Sequence, residues 1–389
     1  MPLPYAIRIP LRSLRRSPML FGSAIFAIAM GVAAPTTMFT VAAGALRDLP
    51  VPQPELLVYV DVADPRDSFG MLQMDGRWFA ALRDRQTTLE DVAAYTMQLY
   101  DVSGFDALPE QRNAARVTAN TFGLLRVEPY RGRDFTAADA VPGAEPVVLV
   151  SHDFWQARLA GDDAVVGERI RLNGEPHTII GVMPPGFAFP ERQQLWTVFE
   201  PTISDASWPM VDVFGRRAAD VALARVNAEL ASITPAVAAL QSDWPEGAAY
   251  AAMPYSESMI ETADRMILAV MTLLFALVLI IACVNVANLL IARAIARTQE
   301  VAVRAALGAG GRRLALEQLS EALLIALPGA VAGLILSRFG VAAFARQLEP
   351  FLPFWVSFQL EAGVLLFTLG CLLLATLSAG MLPALRRAS

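Results

Sequence analysis

Residues 266–292 read MILAVMTLLFALVLIIACVNVANLLIA, with Thr272, Asn285 and Asn288 as their only markedly polar members. A hydrocarbon core about 30 Å thick is crossed by about 20 mostly apolar residues in a helix. This stretch satisfies that length without a single charge, and it sets the class of the whole chain. Working outward, three further runs qualify. The spans are predicted at 19–44, 264–292, 314–338 and 362–383. Pro35 is expected to bend the first. The third opens on Glu317, Gln318 and Glu321, whose turns are expected at the membrane boundary.

Arginine placement orients the set. Residues 1–18 hold Arg8, Arg12, Arg15 and Arg16 and no acid; residues 293–313 hold five arginines; the tail 384–389 holds Arg386 and Arg387. The intervening segment 45–263 has 17 arginines and 31 acids, a net of −14, whereas the remainder has 14 arginines and 6 acids. An in–out–in–out–in path follows, with both termini cytoplasmic, 45–263 outside and 339–361 a short outer loop. A cleaved signal peptide is the competing reading of the N-terminus, with Arg15-Arg16 weakly resembling a twin-arginine signal. Its apolar stretch outruns the usual h-region of about 7–15 residues, so an uncleaved anchor is preferred. Residues 1–18 read either as an amphipathic basic helix lying on inner-leaflet lipid or as a basic flank that only sets topology.

All 31 basic residues are arginine. Lacking lysine, the chain has no P-loop and does not hydrolyse ATP by that route. Cys283 and Cys371 lie in apolar runs and suggest neither a disulfide nor a metal site.

The outer segment alternates strand and helix signals. Strands are predicted at residues 56–60, 146–150 and 177–182, and helices at 75–85, 152–160 and 218–240, the last broken by Pro235. Asn173-Gly174 marks a hairpin, loosened to a longer loop by Pro176. Phe187, after Met183-Pro184-Pro185-Gly186, is expected to plug the core. Ser151-His152-Asp153 spells a triad in order, but adjacent residues do not face one another across a site, and Ser151 reads better as a helix N-cap. The Asp61, Asp64, Asp67 cluster and Asp162-Asp163 read as solvated loops rather than a calcium site. No catalytic constellation, cofactor, metal or nucleic-acid signature emerges. The fold class is therefore a membrane α-helical protein of four transmembrane helices, with a large α+β domain inserted between helices 1 and 2.

Several segments resemble a known family. Residues 285–294 (NVANLLIARA), 300–309 (EVAVRAALGA) and 317–321 (EQLSE) are similar to the end of the second span, the cytoplasmic segment and the start of the third span in FtsX-like permeases of MacB-type ABC transporters. Residues 117–122 (VTANTF), 132–135 (GRDF), 172–176 (LNGEP) and 181–187 (GVMPPGF) resemble the MacB-like periplasmic core domain. With Leu14-Arg15-Arg16-Ser17-Pro18 the pattern looks most like the acidobacterial-type duplicated orphan permeases. Pro35 stands where such permeases usually have Asn. Duplicated members carry a second copy of the unit, and one copy is present here.

The resemblance implies a non-catalytic permease (264–389 as the FtsX-like domain) in a bacterial inner membrane, with 45–263 periplasmic and a separate cytoplasmic ABC ATPase as partner. It further implies export, and a homodimer or pairing with a second permease unit. Segment 293–313 would be a coupling helix resting on the ATPase: Glu300 and Arg304 pair at i, i+4, Val301 and Val303 offer apolar contact, and Gly308 ends the helix. An ordinary inter-helix loop is the alternative. Arg293 and Arg297 either pair with Glu317 and Glu321 across the inner boundary or meet lipid phosphates. Asn285 and Asn288 read as helix-packing residues. A membrane-anchored sensor or scaffold that binds an outer partner without nucleotide coupling is the alternative function.

Overall fold

The computed structural model describes residues 18–45, 47–63, 71–72, 74–104, 109–200, 210–239, 246–258, 311–348 and 353–356, with scattered positions between 244 and 288 and between 358 and 370. In chain order the first elements are α1 (Pro18–Ala45), β1 (Leu57–Ala63), β2 (Met71–Leu72), β3 (Met74–Asp75), α2 (Gly76–Arg83), β4 (Leu89–Ser103), β5 (Glu110–Val117), α3 (Thr121–Leu125) and β6 (Arg131–Gly132). Then come β7 (Val147–Val150), α4 (His152–Arg158), β8 (Arg169–Leu172), β9 (Glu175–Val182), β10 (Leu195–Val198), β11 (Met210–Arg217), α5 (Leu223–Ala238), β12 (Ala249–Pro254) and α6 (Tyr255–Ser258). Two apolar helices close the series, α7 (Ala269–Val278) and α8 (Gly311–Leu348). They belong to two compact units. One comprises 1–45, 264–351 and 357–389; the other comprises 46–263 together with 352–356.

In the sheet unit, strand order is β12-β1-β11-β4-β5-β10-β7-β9-β6, with β2 added to β1, β3 to β11, and β8 bridging β4 and β9. Pairing is antiparallel except for β5 with β10 and β7 with β9. Side chains alternate across a strand, so a strand buried on both faces reads as a continuous apolar run. In β1, Leu57 and Tyr59 enter one core while Val58, Val60 and Val62 enter another. In β7, Val147 and Leu149 share the first core, and Val148 and Val150 face a third.

Local chemistry sets the boundaries. Asp75 accepts from the Arg77 N–H to cap α2, and Ser151 accepts from the Phe154 N–H to cap α4. The cap expected of Ser151 is therefore present. Phe187 is buried in the first core, as expected. Two expectations based on proline fail. The β8–β9 hairpin is tight, with Asn173 and Gly174 both at positive φ (50° and 86°), as a two-residue I′-type turn requires. Pro176 is tolerated because its pair with Arg171 is the non-hydrogen-bonded one next to the turn pair, so no donor is needed there. Likewise α5 starts only at Leu223 and runs through Pro235 without a break. Val226, Leu230, Ile233 and Val237 bury one side of it, offsetting a proline penalty of about 3 kcal/mol.

In the helical unit, α1 also runs unbroken through Pro35. Its Phe21–Gly44 portion and Leu323–Gln347 of α8 are long and apolar enough to cross a membrane; α7 is apolar but shorter. Helix α8 extends past the 338 expected from sequence, and its apolar window starts only beyond Glu317 and Glu321. The two long helices pack through glycine. A Cβ on Gly329 would lie 2.8 Å from the Ile28 Cβ, one on Gly333 2.8 Å from the Val32 Cβ, and one on Gly340 2.8 Å from the Thr37 Oγ1. The partner numbers rise together, so the helices run parallel. Gly329 and Gly333 form a GxxxG pair, the small-residue spacing that lets membrane helices approach closely.

Gly333→Ala is expected to loosen this pair by about 1–3 kcal/mol through overpacking, seen as a lower midpoint on unfolding of the detergent-solubilised protein. Gly22→Ala, where nothing lies within 4 Å of the new methyl, is the neutral control.

Candidate functional site

Most residues singled out for coupling lie outside the described set: Asn285, Arg293, Arg297, Glu300, Val301, Val303, Arg304 and Gly308. Asn288 is helical and exposed; Glu317 and Glu321 sit one turn apart on the backbone of α8. A different site, unread in the sequence, is built in the sheet unit.

Its foundation is the aromatic core on one face of the sheet. Tyr95 meets Phe189 at 5.3 Å between ring centroids, Phe189 meets Phe214 at 5.3 Å, and Phe122 packs edge-on to Trp196 at 5.8 Å. The Trp196 indole N–H donates to the Phe189 carbonyl at 2.6 Å, so its polar atom is satisfied. Three chain passages between the units end in this one core. Leu49 and Val51 follow α1. Tyr255 opens α6 on the way towards α7. Trp355 lies between α8 and the apolar run at 362–383.

The last passage lies in the segment read from sequence as a short outer loop, 339–361. Residues 352–356 within it are part of the sheet unit. The Phe354 N–H donates to the Glu191 carbonyl at 2.7 Å, its ring lies 5.8 Å from Phe187, and Trp355 is buried. The signal was present in FLPFWV at 351–356, an apolar aromatic run too short to span a bilayer. Such a run outside a span needs a protein pocket to cover it.

A second anchor is Arg216 on β11, 0% exposed. Its Nε donates to the Leu124 carbonyl at 2.8 Å and its Nη1 to the Gln53 carbonyl at 3.1 Å. Burial lowers its pKa. The Gln53 bond ties the segment after α1 to the sheet.

Beside the aromatic core lies an acid pair, Asp61 buried and Asp212 half-buried. The register that sets Val60 against Val213 continues to place Asp61 opposite Asp212. The Tyr59 hydroxyl donates to the Asp212 Oδ1 at 2.8 Å, and Asp61 accepts from the Val62 N–H at 2.7 Å. The expectation of a solvated loop at Asp61 fails: it is 2% exposed, mid-strand, with a like charge across from it. Burial first, then Asp212, pushes its pKa up to about 8; burial likewise raises Asp212. Glu191 is raised by burial and by Asp212, and the Tyr59, Tyr95 and Tyr255 hydroxyls are raised chiefly by burial. Among the described residues no group of three or more metal-ligating side chains occurs.

Because Asp61 is protonated when folded and ionised when unfolded between 3.8 and about 8, the folded state binds the extra proton. Its stabilising share is full below the ordinary carboxylate range and is lost as pH rises towards about 8. Asp61→Asn is thus expected to raise the melting temperature at pH 8 and to give little gain at pH 4.5, measured on the full-length protein in detergent.

The chain matches the MacB-like periplasmic core domain over residues 22–240 and the FtsX-like permease C-terminal domain over 272–389. It is 23% identical over 280 residues to an uncharacterized ABC transporter permease, YvrN, of Bacillus subtilis, covering 68% of this chain and 65% of that one. It is 26% identical over 275 residues to the macrolide export ATP-binding/permease protein MacB of Agrobacterium fabrum, covering 69% and 40%. The periplasmic region of MacB from Actinobacillus actinomycetemcomitans superposes with a TM-score of 0.39 at 15% identity, over 54% of this chain and 92% of that one. The chain spans less than two thirds of the length of these curated relatives.

Proposed function

The chain belongs to the FtsX-like permeases with a MacB-like periplasmic core domain, and from that membership we propose that it couples ATP hydrolysis on a separate cytoplasmic ABC ATPase to movement of its periplasmic unit, for export. It is a permease component of an ABC transporter, a membrane protein with a periplasmic domain. The finer reading has four spans at 19–44, 264–292, 314–338 and 362–383, both termini cytoplasmic, in a bacterial inner membrane. It works as a homodimer or with a second permease unit.

One observation carries the coupling. Three stretches of chain at the unit boundaries are rooted in a single aromatic core, through Leu49 and Val51, Tyr255 and Trp355. Truncating a buried aromatic costs about 3–5 kcal/mol. A pull on any passage is therefore borne by the packed sheet before the root gives way. The parallel course of α1 and α8 supports the topology as well, because two spans in one direction need a return crossing between them. The uncharged run at 266–292 supplies it.

On this reading the input lies at 293–313. Glu300 and Arg304 hold the coupling helix in shape, Val301 and Val303 meet the ATPase, and Gly308 ends the turn. Arg293 and Arg297 with Glu317 and Glu321 brace the second and third spans, which Asn285 and Asn288 help to pack, the whole set lying against membrane lipid.

Full-length protein extracted from its own membranes is expected to co-purify with an ABC ATPase, and Glu300→Ala with Arg304→Ala to reduce that recovery several-fold. Unchanged recovery in the double variant removes the coupling role; no ATPase with the wild type favours a membrane-anchored scaffold. A separate variant, Phe354→Ala with Trp355→Ala, is expected to keep the ATPase yet lose the ATP-dependent change in amide exchange of β1 and β12. Persistence of that change would show that the third root transmits nothing.

A further inference from the structure

The sheet unit also contains a cavity of about 770 Å³, a size typical of small-molecule sites. Its floor is formed where β4, β5 and β10 adjoin, with Tyr100, Arg116 and Thr197 on one face. His177 of β9 and the turn after Asp139 close its sides, and Phe199 and Glu200 complete it.

The charges in this cavity are unevenly satisfied. Glu200 is paired with Arg83 at 2.5 Å. Asp139 takes both terminal nitrogens of Arg133, at 2.7 and 2.8 Å, and accepts from the Thr136 N–H and hydroxyl. Arg133 first of all holds that carboxyl at about 2. Both acids are thus neutralised by arginines of their own. Arg116 is different. Its guanidinium lies over the Phe199 ring, 5.1 Å from the centroid, and among the described residues it has no carboxylate partner. Stacking on a ring leaves the edge of the fork, with its N–H donors, free.

The rest of the lining suits a flat apolar body. The Tyr100 ring faces His177 at 6.4 Å, and its hydroxyl shares a hydrogen with the Thr197 Oγ1 at 3.0 Å. His177 Nδ1 sits 3.0 Å from the Glu175 carbonyl, which only accepts, so the proton is on Nδ1 and the ring is held in place. Val141, on the turn after Asp139, adds an exposed apolar wall. In a segment of net charge −14, a cavity with one uncompensated cation is selective in sign.

The geometry points to a binding site for amphipathic organic monoanions, an aromatic or alicyclic body bearing one carboxylate, with Arg116 as the fork that receives the carboxylate and Tyr100 and His177 flanking the body. This site is independent of the ATPase coupling proposed above, so either can fail alone.

Binding is measured by calorimetry on the full-length protein in detergent, with 2-naphthoate, 2-naphthamide and inorganic phosphate as probes. 2-Naphthoate is expected to bind at least about tenfold more tightly than the other two, the worth of one charge-assisted pair joined to apolar contact. Arg116→Gln should remove that advantage, and Arg116→Lys restore part of it. Val141→Trp, which puts a bulky side chain into the lining and leaves Arg116 in the chain, should block the probe, and it keeps the test open if Arg116→Gln fails to fold. No binding of 2-naphthoate to the wild type, equal binding of the amide, or phosphate binding as tightly as the aryl acid overturns the assignment. So does binding unchanged in both Arg116→Gln and Val141→Trp.

Discussion

The burial of three separate chain passages in one aromatic core is the constraint on which the rest of this structure depends. A domain inserted into a helical protein is ordinarily held by the two strands of chain that enter and leave it. Here Trp355 adds a third root, and it lies in the same cluster as Leu49, Val51 and Tyr255. Aromatic side chains supply this at low cost, since each buries a large area with few rotatable bonds to freeze. The sheet is arranged to receive them. β1 and β7 are apolar on both faces, so one face is free for the roots while the other packs α5 or α4.

Much of this was legible in the residues. The apolar runs, the arginine-rich flanks and the acidic middle segment gave the division into two units, because desolvation of backbone and charge leaves few other ways to place such stretches. The Ser151 cap and the Asn173-Gly174 turn were read from local rules that tertiary context did not overturn. Proline misled at positions 176 and 235 for a common reason. A missing N–H costs little where the neighbouring geometry asks for no donor, and a buried face can outweigh the cost where it does. Whether that is so depends on register and packing, which a local pattern does not carry.

What stayed illegible was set by contacts distant in sequence. Asp61 reads as one of three spaced acids near Pro65, and only the β1–β11 register shows it facing Asp212 inside the sheet. Arg216 looks like half of a surface Arg-Arg pair until the carbonyls of Gln53 and Leu124 are found around it. The cavity behind Arg116 draws on β4, β5, β9, β10 and a turn, so no contiguous motif could spell it. The glycines of α8 were different: Gly329-xxx-Gly333 carries a packing signal in its spacing alone, and the apolar content of the span masked it.

The polar atoms buried near the roots show what sort of body the sheet unit is. An acid pair and a lone buried arginine each cost stability compared with apolar residues of the same size. They also tolerate displacement poorly, because a shifted Arg216 leaves two carbonyls unpaired and a shifted Tyr59 leaves Asp212 without its donor. Apolar side chains can slide against one another at small cost, whereas these groups lose hydrogen bonds when displaced. Placed beside the roots of the chain passages, they set a steep penalty on internal slippage of the sheet.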